Sequence, residues 1–281
     1  NDAVRSEDVG NDVLSFYRDL PFNYRETPWH HAETIRKHNQ IKAYPPLAAQ
    51  LRNGATLLDV GCGAGWLCLS AAHHHGCRVT GIDFNQVAVD RARAVAMALR
   101  VPAEFETADL FRYVPAGMFD IVTSVGVLHH THDCLGALDR LCRLYVRPGG
   151  HAFIGLYHHH GRRPFLEHFR KMRASGASEE AMFDRYRQLH ASLDDETHLR
   201  SWFRDQVLHP HETQHTLSEV LPVLGSAGMR LVSTSINRFQ PIGDVAEVVR
   251  LEPSLERIGE QRLELNQYYP GFFVFMAQKN A

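Results

Sequence analysis

The sequence predicts a doubly wound α/β domain, and three observations lead to it. Short apolar runs alternate with longer stretches of helical spacing between Ala55 and Tyr157. The first run ends in a glycine-rich turn, Gly61-Cys62-Gly63-Ala64-Gly65, with a helical stretch directly behind it. Strand-helix-strand units then repeat; they need crossover connections, so the strands should be parallel and the sheet covered on both faces.

Taken in order, Asn1 to Pro28 is mixed and turn-rich, with the aromatics Phe16, Tyr17, Phe22 and Tyr24. A helix is expected from His31 to Arg52, broken or kinked at Pro45 and Pro46. Thr56 to Val60 reads as the first strand, Trp66 to His75 as a helix closed by Gly76, and Arg78 to Ile82 as a strand ending at Asp83. An alanine-rich helix over Gln86 to Leu99 precedes a strand at Glu104 to Thr107 and another at Phe119 to Ser124. Cys134 to Tyr145 has helical spacing, and Pro148-Gly149-Gly150 turns into a fifth strand, Ala152 to Tyr157. Leu166, Phe169, Met172, Met182, Phe183, Tyr186 and Leu189 then recur at helical intervals, as do Leu199, Trp202 and Phe203, which predicts a helical insertion. Thr216 and Glu219 form a capping box for a helix ending at Gly228. Strands at Arg230 to Ile236 and Phe272 to Gln278 flank a polar, partly helical stretch from Asp244 to Asn266. The expected organisation is a cap segment over 1–52, a core over 53–160, a helical insertion or lid over 161–215, and the rest of the core over 216–281.

Composition excludes several classes. Thirty basic against thirty-two acidic residues leaves a net charge of -2, which gives no general attraction to polyphosphate. Five scattered cysteines lack zinc-finger spacing and fit a reducing compartment without a disulfide framework. No apolar run approaches the ~20 residues that cross a bilayer. The acidic, polar start has neither a signal-type apolar region nor an arginine-rich transit pattern, so a soluble, cytoplasmic protein is expected. The chain opens on Asn1 rather than Met, which points to removal of upstream residues.

The glycine-rich turn is built to hold a nucleotide-like ligand. Glycine permits unusual backbone dihedrals and close ligand approach, and the helix behind it offers free N–H groups to an anion. Asp83, at the end of the next strand, suits vicinal ribose hydroxyls. A dinucleotide fingerprint requires glycine at the sixth position from Gly61, and Trp66 stands there, so that cofactor is demoted. A P-loop fails because no Gly-Lys-Ser/Thr follows. Asp59 could instead cap the turn locally; Cys62 reads as a small turn residue rather than a nucleophile.

Leu57-Leu58-Asp59-Val60-Gly61-Cys62-Gly63-Ala64-Gly65 resembles the first motif of class I S-adenosylmethionine-dependent methyltransferases. Asp83 in Gly81-Ile82-Asp83-Phe84 is similar to that family's ribose-binding acid, and Asp109 in Ala108-Asp109-Leu110 to its adenine contact. Phe119-Asp120-Ile121-Val122, His129-His130 and Arg147-Pro148-Gly149-Gly150 follow in the family's order. The resemblance covers roughly Ala55 to Tyr157. It implies a Rossmann-like sheet of seven strands, mostly parallel, with the last antiparallel, and S-adenosyl-L-methionine as cofactor. It places Asp59, Gly61, Cys62, Gly63 and Gly65 around that cofactor, together with Asp83, Phe84, Asp109, Leu110 and Val125. It leaves the methyl acceptor open.

Methyl transfer is an in-line displacement, so the protein mainly aligns the acceptor and excludes water. A hydroxyl acceptor would also need a base, a role suited to histidine. His129, His130 and His132 follow the fourth strand, and His158, His159 and His160 the fifth, both at the ligand edge of such a sheet. His130 and His158 are the leading candidates for base or substrate anchor, with His129 as the third; ordering the turn through backbone hydrogen bonds is the alternative. His209, His211, Glu212 and His215 form a second cluster. It reads as a polar loop facing the pocket, with His209 and His211 as candidate site residues, in preference to a metal site. His73-His74-His75 suits a helix C-terminus electrostatically. Tyr24, Trp29, Tyr157, Phe165, Trp202 and Phe203 are candidate walls of an acceptor pocket. The expected function is methyl transfer to O, N or S of a small molecule, without nucleic acid or membrane. The alternatives are an RNA acceptor, suggested by Arg162-Arg163 and Arg170-Lys171-Arg173, and a non-catalytic cofactor- or metal-binding module.

Overall fold

A computed structural model of the chain describes residues 27–190 and 195–281. Phe16, Tyr17, Phe22 and Tyr24 lie outside the described residues. The first described helix is α1 (Pro28–Lys37), which Thr27 caps by accepting from the His30 backbone N–H, with Pro28 at the first helical position.

The seven strands are β1 (Thr56–Val60), β2 (Arg78–Asp83), β3 (Ala103–Thr107), β4 (Phe119–Val125), β5 (Val146–Tyr157), β6 (Met229–Thr234) and β7 (Phe272–Lys279). They form one sheet in the order β3-β2-β1-β4-β5-β7-β6. Pairings from β3 through β5 are parallel, and β7 runs antiparallel to both β5 and β6. The expected sheet, with its last strand reversed, is therefore present.

Alternation along the strands builds two cores, because successive side chains point to opposite faces. Leu57, Val79, Ile121, Phe153 and Val274 pack on one face with α1, α2 (Trp66–His75) and α3 (Gln86–Leu99). Leu58, Ile82, Val122, Ile154 and Phe275 pack on the other with α4 (Cys134–Leu144). Each fully buried aliphatic side chain contributes about 1.5–3 kcal/mol, so the two-sided burial carries the fold. Helices α5 (His159–Ala174), α6 (Glu179–Leu189) and α7 (Glu196–Phe203) build a third core from Phe165, Phe169, Phe183, Tyr186, Leu199 and Phe203. Next come α8 (Leu217–Ser226), with the expected Thr216–Glu219 capping box, α9 (Val245–Leu251) and α10 (Ser254–Glu264). Among the described residues no helix is long and apolar enough to cross a membrane.

Three local expectations are corrected. The long helix from His31 does not reach Pro45; α1 stops at Lys37, and the Asn39 side chain accepts from Ile41 N–H to start a separate 3₁₀ turn. Pro148-Gly149-Gly150 lies inside β5 as a bulge, where the register with β4 jumps from Phe119↔Val146 to Ile121↔His151. β6 ends at Thr234, and Ser235–Asn237 is a 3₁₀ turn capped by the Thr234 hydroxyl.

Candidate active site

Strand order reverses between β1 and β4, which opens a crevice outside the carboxyl ends of the central strands. The glycine turn sits there. Gly61, Gly63 and Gly65 all have positive φ, at 72°, 53° and 85°. A Cβ on Gly61 would collide with Val127, and one on Gly65 would come within 2.8 Å of Leu69. The turn is thus compatible only with a side-chain-poor sequence. At the sixth position Trp66 is buried and stacks on His31 of α1 with ring centroids 3.6 Å apart.

Asp83 is held at the turn. Its Oδ2 accepts from Gly63 N–H and its Oδ1 from Asn85 N–H, both at 2.9 Å. Burial pushes its carboxyl up, while those N–H groups work the other way. Each oxygen still has a lone pair for a further donor. Phe84, next to it in the chain, and Val125, at the end of β4, are half-buried. Cys62 is buried, and burial holds its thiol well above the usual range, which leaves it unsuited to nucleophilic work. Asp109 is exposed; its carboxylate accepts from Phe111 N–H at 2.9 Å and it borders a groove of about 730 Å³ along β3. Leu110 behind it is half-buried against the α4 face.

Asp59 lies beneath the turn and accepts from the Thr123 hydroxyl at 2.8 Å. Burial pushes its carboxyl up to about 6 from 3.8, the Thr123 bond opposing and the Asp83 charge assisting. The pKa is raised in the folded state, so ionising Asp59 penalises folding above about pH 6, by about 3 kcal/mol. The penalty fades as pH falls toward 3.8. Asp59→Asn keeps the Thr123 bond, gives up one acceptor for Cys68 and removes the charge. Urea unfolding should therefore find it more stable than wild type at pH 7.5, with the gap closing toward pH 4; an equal gap at both pH values would rule the account out.

The turn after β4 carries His129 and His130, next to Val127 and therefore beside Gly61. His129 Nδ1 accepts from Tyr157 N–H at 3.1 Å, and its ring stacks on Tyr157 at 4.2 Å. Its Nε2 is buried without a hydrogen-bond partner among the described residues. Burial keeps this ring neutral, its pKa well below the usual range. His130 Nδ1 lies 2.8 Å from the His211 carbonyl oxygen. A carbonyl only accepts, so Nδ1 carries the proton and Nε2 presents a lone pair. Burial pushes His130 down to about 4. His209 stacks on it with centroids 3.7 Å apart.

The other candidates are placed differently. His158 Nδ1 caps α5 by accepting from His160 and Gly161 N–H, and Nε2 donates to Glu252 at 2.7 Å. Both ring nitrogens are taken up by these bonds within the fold, which differs from the expectation of a base or substrate anchor there. Glu252 also accepts from Leu217 and Ser218 N–H at the start of α8, which ties three segments to one carboxylate. His211 Nε2 donates to the Thr131 carbonyl, and His215 Nε2 meets the Thr213 hydroxyl, so the i, i+4 pair does not converge. Tyr157 and Phe165 are buried around Arg162, and Phe203 belongs to the helical core. Trp202 packs at the edge of that core, whereas Trp29 is 66% exposed and forms no wall.

The model of one family, described as a methyltransferase domain, matches residues 29–209, which include the glycine turn, Asp83 and the His129-His130 turn. The chain belongs to the methyltransferase-domain family. It is 32% identical over 141 residues to a ubiquinone biosynthesis O-methyltransferase of Ralstonia nicotianae, over 50% of this chain and 56% of that protein. The chain spans about half the length of the curated relatives it matches. Among solved structures, an S-adenosylmethionine dependent methyltransferase from Mesorhizobium loti aligns with a TM-score of 0.51 at 21% identity, covering 87% of this chain and 100% of that one. Magnesium protoporphyrin IX methyltransferase from Synechocystis PCC 6803 with bound SAH aligns at 0.51 and 16% identity, covering 98% and 95%. At these identities the structures support the shared fold.

Sequence reasoning missed Asp205 and Arg162 within this methyltransferase domain, and Glu252 beyond the matched residues. Asp205 lies in a π-helical turn, Arg204–Leu208, a feature frequent at functional sites. Its i, i+4 spacing to His209 was the available signal. Arg162 read as a basic surface residue, yet it is fully buried and paired with Glu212. That pairing with a carboxylate 50 residues on has no local signature.

Proposed function

We propose that the protein is an S-adenosyl-L-methionine-dependent methyltransferase acting on a small molecule, with oxygen as the methylated atom. The observation that carries this reading is the pairing of the positive-φ glycine turn with Asp83 at the point where strand order reverses. The residues present fit the cofactor: a cradle that side chains would fill, a carboxylate with lone pairs to spare, and a second carboxylate beneath. Bound there, the cofactor supplies a methyl group on a sulfonium already activated for displacement.

In this reading Asp83 accepts from the ribose hydroxyls, the amides of Gly63 to Gly65 face the carboxylate of the methionine part, and Asp59 balances its ammonium. Asp109 takes the adenine edge, with Leu110, Phe84 and Val125 as apolar neighbours. The buried Nε2–H of His129 is a donor waiting for an acceptor oxygen, and His130 Nε2 is the place where a proton or a cation is received. In this reading α1 and the described helices α5 to α7 are the elements that exclude water from this edge. The name of the Ralstonia relative supports oxygen as the target. The Arg162-Arg163 cluster does not favour RNA: Arg162 is buried against Glu212, and Arg163 pairs with Glu167 and Glu256.

Calorimetry with S-adenosylhomocysteine should show low-micromolar binding. Methyl-labelled cofactor with a panel of phenols, amines, thiols and RNA should label a phenol. No binding overturns the cofactor; binding with transfer only to RNA overturns the acceptor class.

A further inference from the structure

Among the described residues, His130, Asp205 and His209 bring three ligating atoms within 4.8 Å of one another. His130 Nε2 is buried, makes no hydrogen bond and points its lone pair at Asp205 Oδ1 3.7 Å away. The Nε2 lone pair and the carboxylate oxygen are both donors of the kind that coordinates a cation. We propose that His130, Asp205 and His209 form a binding site for a borderline divalent cation of the zinc or iron(II) class. Two imidazoles and one carboxylate are the donor set such ions take with positions left open.

The surroundings are those of a ligand set. His130 donates its other ring N–H to the His211 carbonyl at 2.8 Å, the usual device for fixing a ligating imidazole. The Tyr157 hydroxyl lies 3.5 Å from Asp205 Oδ2 and orients the carboxylate while leaving Oδ1 toward the histidines. His209 stacks on His130, so the two rings are already side by side. His209 Nδ1 now accepts from His211 N–H at 3.1 Å; ligation through Nε2 moves the ring proton to Nδ1 and gives up that short-range bond. One such bond is worth about 1 kcal/mol, far less than a metal–ligand set. A cavity of about 260 Å³, lined by Gln206, His209, Glu212 and Gln214, reaches His209 and provides an entry path. With a cation present, His130 is a ligand rather than a proton acceptor, and the open positions take water or an oxygen of a bound molecule.

The test is binding of metal alone, which does not depend on the proposed methyl transfer. Chelator-dialysed protein is titrated with Co²⁺ by visible absorption and with Zn²⁺ by calorimetry. The expected result is one tight equivalent with ligand-field bands of an imidazole–carboxylate site. His130→Gln, His209→Gln and Asp205→Asn should each weaken it by more than about a hundredfold. Asp205→Asn retains an oxygen for the Tyr157 hydroxyl, and circular dichroism with the denaturant midpoint establishes that each variant is folded. Replacing His73, His74 and His75 together with alanine should leave the equivalent intact. The proposal fails if wild type binds no Co²⁺ tightly, if the His73–His75 variant loses it, or if folded His130→Gln keeps the same spectrum.

Discussion

Asp83→Ala is expected to weaken S-adenosylhomocysteine binding by about 10²- to 10⁴-fold, the loss of two charge-assisted hydrogen bonds of about 1.5–3 kcal/mol each. The carboxylate is already oriented: Gly63 N–H holds Oδ2 and Asn85 N–H holds Oδ1, so no reorganisation is needed to present both oxygens to a diol. The alanine variant also frees Gly63, loosening the turn that must face the ligand. Asp83→Asn keeps one oxygen for a backbone donor and should lose less, about tenfold. Titration calorimetry at one ionic strength reads all three proteins. Wild-type affinity in the alanine variant would remove the ribose assignment and, with it, the reading of the crevice.

Arg162→Ala is expected to destabilise the fold by about 3–5 kcal/mol, a large part of the ~5–15 kcal/mol that holds a typical domain. Arg162 is fully buried, grips Glu212 with Nε at 3.0 Å and Nη2 at 2.7 Å, and donates to the carbonyls of Gln206 and Pro270. Its guanidinium lies 3.8 Å over the Tyr157 ring. Burial works to raise the Glu212 carboxyl, but the guanidinium prevails and holds it below the usual carboxylate range. Truncating the arginine strands that carboxylate as an unpaired buried charge. Glu212→Gln added to Arg162→Met should therefore recover most of the loss, because it removes both charges. Denaturant midpoints for single and double variants decide it; a double variant as unstable as Arg162→Ala would show that the pair is not the source.

The glycine turn, Asp59 and Asp83 were legible because they are local: a strand, its turn and the next strand end lie within 25 residues, Asp59 through Asp83, and each carries its own chemical signature. The boundaries of β1 to β4 and of β7 followed to within a residue for the same reason, since short apolar runs are written residue by residue. The Pro148-Gly149-Gly150 bulge was read as a turn because glycine with positive φ serves both, and only pairing with β4 tells them apart. His158 misled for a related reason: exposure at a strand end was assumed, whereas Glu252, 94 residues further on, buries and occupies it.

By itself, the sequence determined the doubly wound class, the glycine-rich turn and the separate helical segment, all of which follow from periodicity and from residues within a few positions of one another. Only the tertiary structure decided that β7 enters between β5 and β6, that Arg162 is an interior charge, and that His130 meets Asp205 and His209 instead of the whole second histidine cluster. Those outcomes depend on contacts across tens of residues, such as the 81 between His130 and His211. Burial and pairing there are set by how packed elements meet, a quantity that no local pattern encodes.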